Sequence, residues 1–322
     1  MNELSSSSKK SMLTRIITAC CIVAVCLPAV LLGGWYYFAI FFFLAMVGVY
    51  EFVKAPNKER FNPIIYFICF VMVGSFILWQ FLKKYMTGFQ GDFLDMGTIS
   101  ISTMGILTYF LILFITCLIS EKFTISDASY LFTMGIYISL SFSSILFLRF
   151  LPSLDSFYGD DLRGSLLIFY VLIGTFITDV GAYFVGVLFG KHKMAPRISP
   201  NKTWEGFFGG VVFSFVFSFL FAFTCDKLGA PLLKGVLDFN DLNFLWIILI
   251  SAIMPLCANF GDLIFSAIKR NYSIKDFGRV FPGHGGVLDR FDSLTFTASV
   301  VALLVIMIEH GWDFLKWLGF VF

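Results

Sequence analysis

The segment from Asp262 to Asp292 concentrates the residues of this sequence that could do chemistry. Asp262 stands near the end of an apolar block. On a continuing helix, Ser266, Lys269 and Arg270 follow it at offsets of four, seven and eight, on nearly the same face. Lys275-Asp276 comes next, then Phe281-Pro282-Gly283-His284-Gly285-Gly286-Val287-Leu288-Asp289-Arg290-Phe291-Asp292. The glycines imply tight backbone near a ligand. Asp289 and Asp292 are three apart and share a face once a helix has begun. A second polar stretch, Lys191 to Glu205, carries Lys191, Lys193, Arg197 and Lys202. Within it, Ser199 followed by Pro200 has the pattern of a helix N-cap with proline at the first position. Such a helix start offers free N–H groups to an anion. The plainer reading of this stretch is a positively charged cytoplasmic loop. A third feature is Asp179, near the middle of an apolar block in Thr178-Asp179-Val180-Gly181-Ala182-Tyr183. A carboxylate at membrane depth costs about 2.5–3.5 kcal/mol and commonly marks a site, the alternative being a hydrogen bond between helices.

Carboxylates among many cations are the inventory for phosphoryl or nucleotidyl transfer. Mg²⁺ is held by one or two carboxylates plus substrate phosphates, and Lys and Arg offset the remaining phosphate charge. No Ser-His-Asp arrangement, cysteine nucleophile or zinc shell competes with this reading. His284 could act as a base or as a hydrogen-bond donor to phosphate. Gly186-x-x-x-Gly190-Lys191 is not a Walker A loop, which needs four residues between the glycines and Ser or Thr after the Lys. Gly186 and Gly190 are expected to serve close helix packing instead. The seven cysteines form no CxxC pair and keep no zinc spacing with the three histidines, so they are read as small apolar residues.

These residues must be positioned by membrane helices. The chain is 58% hydrophobic and only 14% charged, with a mean hydropathy of +0.87, where soluble domains carry about 25% charged residues. A crossing helix needs about 20 mostly apolar residues. Nine blocks qualify, near 12–32, 35–53, 63–82, 99–119, 131–151, 165–190, 207–225, 243–265 and 293–310. Helices are expected because backbone polar groups in lipid must be satisfied within the segment. The fold class is therefore all-α, a polytopic transmembrane protein of about nine helices. One integral membrane domain, 1–322, is expected, with the catalytic motifs in 179–292. Ile16 to Leu32 is longer than a signal-peptide core and reads as a retained helix. Ser5 to Ser8 reads as a disordered start. Sixteen of the 23 Lys and Arg residues fall on one side of these blocks and seven on the other. The positive-inside rule places the richer side, with 191–206 and 266–292, in the cytoplasm, and the C-terminus with Trp312 and Trp317 outside. The first five blocks hold no buried ionisable pair and no motif.

From Ser266 to Asp292 the chain resembles the phosphatidate cytidylyltransferase (CDP-diglyceride synthase) family without a gap. The matching residues are Ser266, Ile268-Lys269-Arg270, Lys275-Asp276, Gly278, Phe281-Pro282, His284-Gly285-Gly286-Val287 and Asp289-Arg290-Phe291-Asp292. Asp179 to Gly210, including Ser199-Pro200-Asn201-Lys202-Thr203-Trp204-Glu205-Gly206, is also similar to that family. The resemblance implies transfer of the cytidylyl group of CTP to phosphatidate, giving CDP-diacylglycerol and pyrophosphate in phospholipid biosynthesis. It implies Mg²⁺ with a second, monovalent cation such as K⁺, and metal-holding aspartates at Asp262 and Asp289. Catalytic roles are expected for Asp262, Lys269, Arg270, His284, Asp289, Arg290 and Asp292. Substrate binding is expected from Asp179, Tyr183, Lys191, Ser199, Pro200, Asn201, Lys202, Thr203, Glu205, Ser266, Lys275, Asp276, Gly285 and Gly286. The partners expected are CTP, phosphatidate, membrane lipids and a second copy in a homodimer, with no nucleic acid. The expected location is the cell membrane, the site facing the cytoplasm. A CTP-dependent polyisoprenol kinase, a CDP-archaeol synthase and a transporter are the competing readings. No repeated pair of broken helices, the mark of many transporters, is present in the sequence.

Overall fold

Long apolar runs with few breakers leave helix as the only way to satisfy the backbone away from water, and the computed structural model is built that way. It describes residues 6–56, 61–85, 95–96, 99–151, 163–283 and 285–310. Within them the helices are α1 (Ser6–Leu32), α2 (Gly34–Lys54), α3 (Pro63–Tyr85), α4 (Ile101–Ile119), α5 (Ile125–Phe150), α6 (Arg163–Phe189), α7 (Trp204–Lys227), α8 (Phe244–Asn271) and α9 (Leu288–His310). They follow the nine apolar blocks in order. Among the described residues, eight, α2 to α9, are long and apolar enough to cross a membrane. The apolar part of α1, Ile16–Leu32, is shorter and contains Pro28. Two short antiparallel pairs complete the elements: β1 (Asp95–Met96) with β2 (Ile99–Ser100), and β3 (Lys193–Ala195) with β4 (Ser199–Thr203). Trp312 and Trp317 lie outside the described residues.

The blocks miss several helix starts, because hydropathy does not register polar first turns. Ser6 to Ser8, expected to be disordered, are helical in α1. At α5, Thr124 and Asp127 hydrogen-bond reciprocally: both the amide and the hydroxyl of Thr124 donate to Asp127 Oδ2, and the Asp127 amide donates to Thr124 Oγ1. This capping box starts the helix six residues before the apolar block. At α9 the helix begins at Leu288, so both Asp289 and Asp292 are helical.

The chain divides into two units. The first comprises residues up to Ala29, Trp35–Leu146 and Asn271–Arg290. Tyrosine hydroxyls pin its helices to one another's carbonyls. Tyr37 donates to Ile145 O (3.2 Å), Tyr130 to Phe52 O (3.1 Å) and Tyr109 to Leu131 O (3.0 Å). The second unit comprises Val30–Gly34, Phe147–Arg270 and the residues from Phe291 onward. There α6 and α7 pack most closely, through small residues. A Cβ at Gly206 would lie 2.7 Å from Ala182 O, and one at Gly210 2.7 Å from Thr178 O. Ser214 Oγ donates to Gly174 O (2.6 Å), and the Tyr170 hydroxyl lies 2.6 Å from Ser251 Oγ on α8. Hydrogen bonds between membrane helices are worth about 0.6 kcal/mol each. Their larger effect is to fix rotation and register. The packing role of Gly186 and Gly190 holds: a Cβ on either would meet Thr203 Oγ1.

The first five blocks are not free of buried charge. Glu51 on α2 and Arg149 on α5 are both buried. Each hydrogen-bonds to backbone groups far away in the sequence, which is why no local pattern reveals them. Arg149 Nε donates to Val30 O (2.6 Å) and Nη2 to Leu31 O (3.2 Å). These are carbonyls of the last turn of α1, where a cation also complements the helix dipole. Gly33, at φ +66°, and Gly164 make room for the guanidinium. Arg149 is thus a structural cap and not a loop charge. Replacing it with Met would leave buried carbonyls unpaired, at a cost of about 1–3 kcal/mol. Arg149→Met is expected to lower the thermal midpoint of the detergent-solubilised protein, read by tryptophan fluorescence.

Candidate active site

In the second unit α8 continues through Lys269 and Arg270 to Asn271, so the offsets from Asp262 do place Ser266 on its side of the helix. Ser266 Oγ donates to Asp262 Oδ1 (3.2 Å). Lys202, arriving from β4, sets its ammonium 2.7 Å from Asp262 Oδ2. That ammonium is shielded from solvent and has no other hydrogen-bond partner among the described residues. Asp292, buried on α9, interacts electrostatically with Asp262, Lys269 and Asp179. Lys269 is also buried, whereas Asp179 and Tyr183 are exposed on α6. The unit thus carries Asp179, Asp262 and Asp292 with Lys202 and Lys269, of which Lys202 and Asp262 are in direct contact.

The Lys191–Glu205 stretch differs from expectation. Ser199-Pro200 does not cap a helix; Ser199–Thr203 is strand β4, paired back on β3. A two-residue N-cap signal is local, while a hairpin needs its partner strand, so Ser-Pro misleads. Pro200 is tolerated because a two-stranded ribbon leaves alternate N–H groups unpaired. The cap of α7 is Thr203, whose Oγ1 accepts from Gly206 N (3.2 Å). Glu205, in the first turn, accepts from the amides of Lys191 (3.1 Å) and His192 (3.2 Å), and its Oε1 lies 2.6 Å from His192 Nδ1. These bonds close the loop on itself and hold Lys202 toward Asp262. Arg270 Nε donates to Ile198 O (3.3 Å), tying the hairpin to the end of α8. Asn201 and Lys191 are exposed on the loop.

The first unit holds the remaining motif, Lys275 to Arg290. Phe281 and Gly285 exchange backbone hydrogen bonds (2.9 and 3.1 Å) around Gly283, at φ +76°. The Asp289 carboxylate accepts through Oδ2 from Phe277 N (2.8 Å) and Gly286 N (2.9 Å). Glu51, which sequence reasoning missed, accepts from Val287 N and Leu288 N, both at 2.9 Å. Its one available signal was being the lone acidic residue of its apolar block. Lys275, Arg279 and Arg290 line a cleft of about 470 Å³, and Lys54, Lys275 and Arg279 line a neighbouring one of about 560 Å³. Behind the loop, burial and then the charge of Asp127 push the Tyr272 hydroxyl up from its ordinary value. His284 lies outside the described residues.

The fold is that of a multi-pass helical membrane protein, with Lys202 paired to Asp262 in one unit and Asp289 held by backbone amides in the other. The chain belongs to the Cytidylyltransferase family, whose pattern matches residues 13–308. It is similar to the phosphatidate cytidylyltransferase of Bacillus subtilis, at 35% identity over 234 residues, covering 73% of this chain and 77% of that one. It is also similar to those of Staphylococcus haemolyticus, at 36% over 197 residues, and Staphylococcus aureus, at 36% over 199, each match covering 61% of this chain and 66% of the relative.

The corrected cap can be tested directly. Thr203→Ala is expected to destabilise α7 by about 0.5–2 kcal/mol, lowering the thermal midpoint, while Ser199→Ala leaves it within error. The reverse order would restore Ser199 as the cap.

Proposed function

We infer that this chain joins CTP to phosphatidate, forming CDP-diacylglycerol and pyrophosphate. The observation that carries this reading is that the family match, residues 13–308, encloses both the Asp262–Lys202–Ser266 cluster and the Asp289 loop. In the transfer, a phosphatidate oxygen attacks the α-phosphorus of CTP, and the bond from that phosphorus to the β-phosphate oxygen breaks. Lys202 and Lys269 are placed to neutralise phosphate charge, Lys202 by leaving Asp262 for the incoming anion. Ser266 keeps the Asp262 carboxylate oriented during that exchange. Lys275, Arg279 and Arg290 offer cations to the triphosphate or its leaving group. No covalent intermediate on the enzyme is needed, so positioning and charge supply the acceleration.

Mg²⁺ suits the donor set. Among the described residues no three His, Cys, Asp or Glu side chains form a complete shell, but Mg²⁺ needs only one or two carboxylates when substrate phosphates supply the rest. The ammonium against Asp262 Oδ2 already marks that oxygen as a cation position. Asp262 in the second unit and Asp289 in the first are each proposed as metal holders, with a monovalent cation such as K⁺ accompanying Mg²⁺. Bound there, the metal would offset charge developing on the transferring phosphate.

In a purified assay, label in the α-phosphate of CTP is expected in the lipid, and label in the γ-phosphate in pyrophosphate. Transfer of the γ-label to lipid would instead identify a kinase. In the same assay Asp262→Asn and Asp289→Asn should each abolish turnover without loss of membrane insertion. Near-normal turnover of either variant at ordinary Mg²⁺ removes that aspartate from the metal site.

The proposed location is the cell membrane with the site toward the cytoplasm, supported by the excess of Lys and Arg on that side. CTP is soluble and phosphatidate lies at the bilayer surface, so the loops 191–206 and 266–292 must sit where both can reach. In a cysteine-free background, Asn201→Cys and Lys275→Cys are expected to resist an impermeant thiol reagent in intact cells, and Lys234→Cys to react. Labelling of the first two from outside reverses the orientation.

A further inference from the structure

Glu51 does something the motif residues cannot do for themselves. The start of a helix leaves four backbone N–H groups without helical partners. Two carboxylates take up this backbone. Asp289 Oδ2 accepts from Phe277 N and Gly286 N, and Glu51 accepts one amide on each oxygen, Oε1 from Val287 N and Oε2 from Leu288 N. Three consecutive amides, 286 to 288, are thus engaged by carboxylates. They are closed to a substrate phosphate even though a helix N-terminus would otherwise attract one.

Glu51 comes from α2, more than 200 residues earlier in the chain, and only 1% of it is exposed. Its surroundings are fitted to it. A Cβ at Gly278 or at Gly286 would overlap the Glu51 carboxylate, and one turn back on α2 a Cβ at Gly48 would lie 3.1 Å from Leu288. Gly278 and Gly286 therefore make room for an internal carboxylate, and Gly286 has no need of a substrate to explain it.

We propose that Glu51 is a positioning residue for the transfer reaction, clamping segment 277–288 so that Asp289 and Arg290 are presented in a fixed geometry. This rests on the reaction inferred above. Glu51→Gln keeps the size of the side chain but turns an NH₂ group toward one of two N–H donors, so one bond of the clamp is lost. Removing a group that holds a ligand-bearing residue costs about 10–100-fold in activity or metal affinity. The full chain in lipid nanodiscs should show a kcat fall of that order for Glu51→Gln with KM for CTP little changed, and partial recovery in Glu51→Asp, which keeps both acceptor oxygens. Hydrogen exchange followed by mass spectrometry should accelerate in peptides covering 275–290 and stay unchanged in α6 and α7. Gly278→Ala, which displaces the same carboxylate while keeping its charge, should give the same local acceleration.

Unchanged exchange over 275–290 in both Glu51→Gln and Gly278→Ala overturns the proposal. So does wild-type turnover in Glu51→Gln, or acceleration spread over the whole chain, which would make Glu51 a general stability residue. Should the wild-type chain form no CDP-diacylglycerol, the inferred reaction fails, while the exchange data still decide whether Glu51 clamps the segment.

Discussion

A membrane interior offers no water to complete a hydrogen bond, and this constraint governs where every polar group of the chain ends up. Backbone amides and carbonyls close within helices. Groups left over at helix ends are met by local caps, as at α5 and α7, or by side chains sent from elsewhere. Glu51 meets the amides at the start of α9, and Arg149 meets the carbonyls at the end of α1. In both cases an ionisable side chain is placed at the helix end whose dipole suits its charged form.

The same logic separates two kinds of carboxylate in the molecule. Glu51 and Asp289 accept hydrogen bonds from backbone amides, which fixes their oxygens. Asp262 accepts from the Ser266 hydroxyl and pairs with the Lys202 ammonium. A carboxylate held by an ammonium can exchange it for another cation, whereas a carboxylate held by amides keeps its geometry through the exchange. The β3–β4 hairpin carries Lys202, and Glu205 braces that hairpin through the amides at 191 and 192.

Much was legible in the sequence because it depended only on neighbours along the chain. Apolar length predicted the helices, and the offsets from Asp262 predicted Ser266 beside it, since a helix repeats whatever it packs against. The positions of Gly186 and Gly190 announced close packing for the same reason. The helix ends were less legible. A cap is one hydrogen bond, and Ser199-Pro200 satisfied the local rule while β3 captured that segment as a strand. Thr203, four residues on, became the cap because the hairpin ends there.

Sequence alone determined the all-α membrane class, the order of the helices and the two polar motif stretches. All of these follow from residue type and spacing along one chain. Only the tertiary structure decided that Lys202 meets Asp262 across 60 residues and that Glu51 supports the start of α9 across 236. Both contacts join residues distant in sequence, and no periodicity encodes them. They exist because folding brings together groups that lie far apart along the chain.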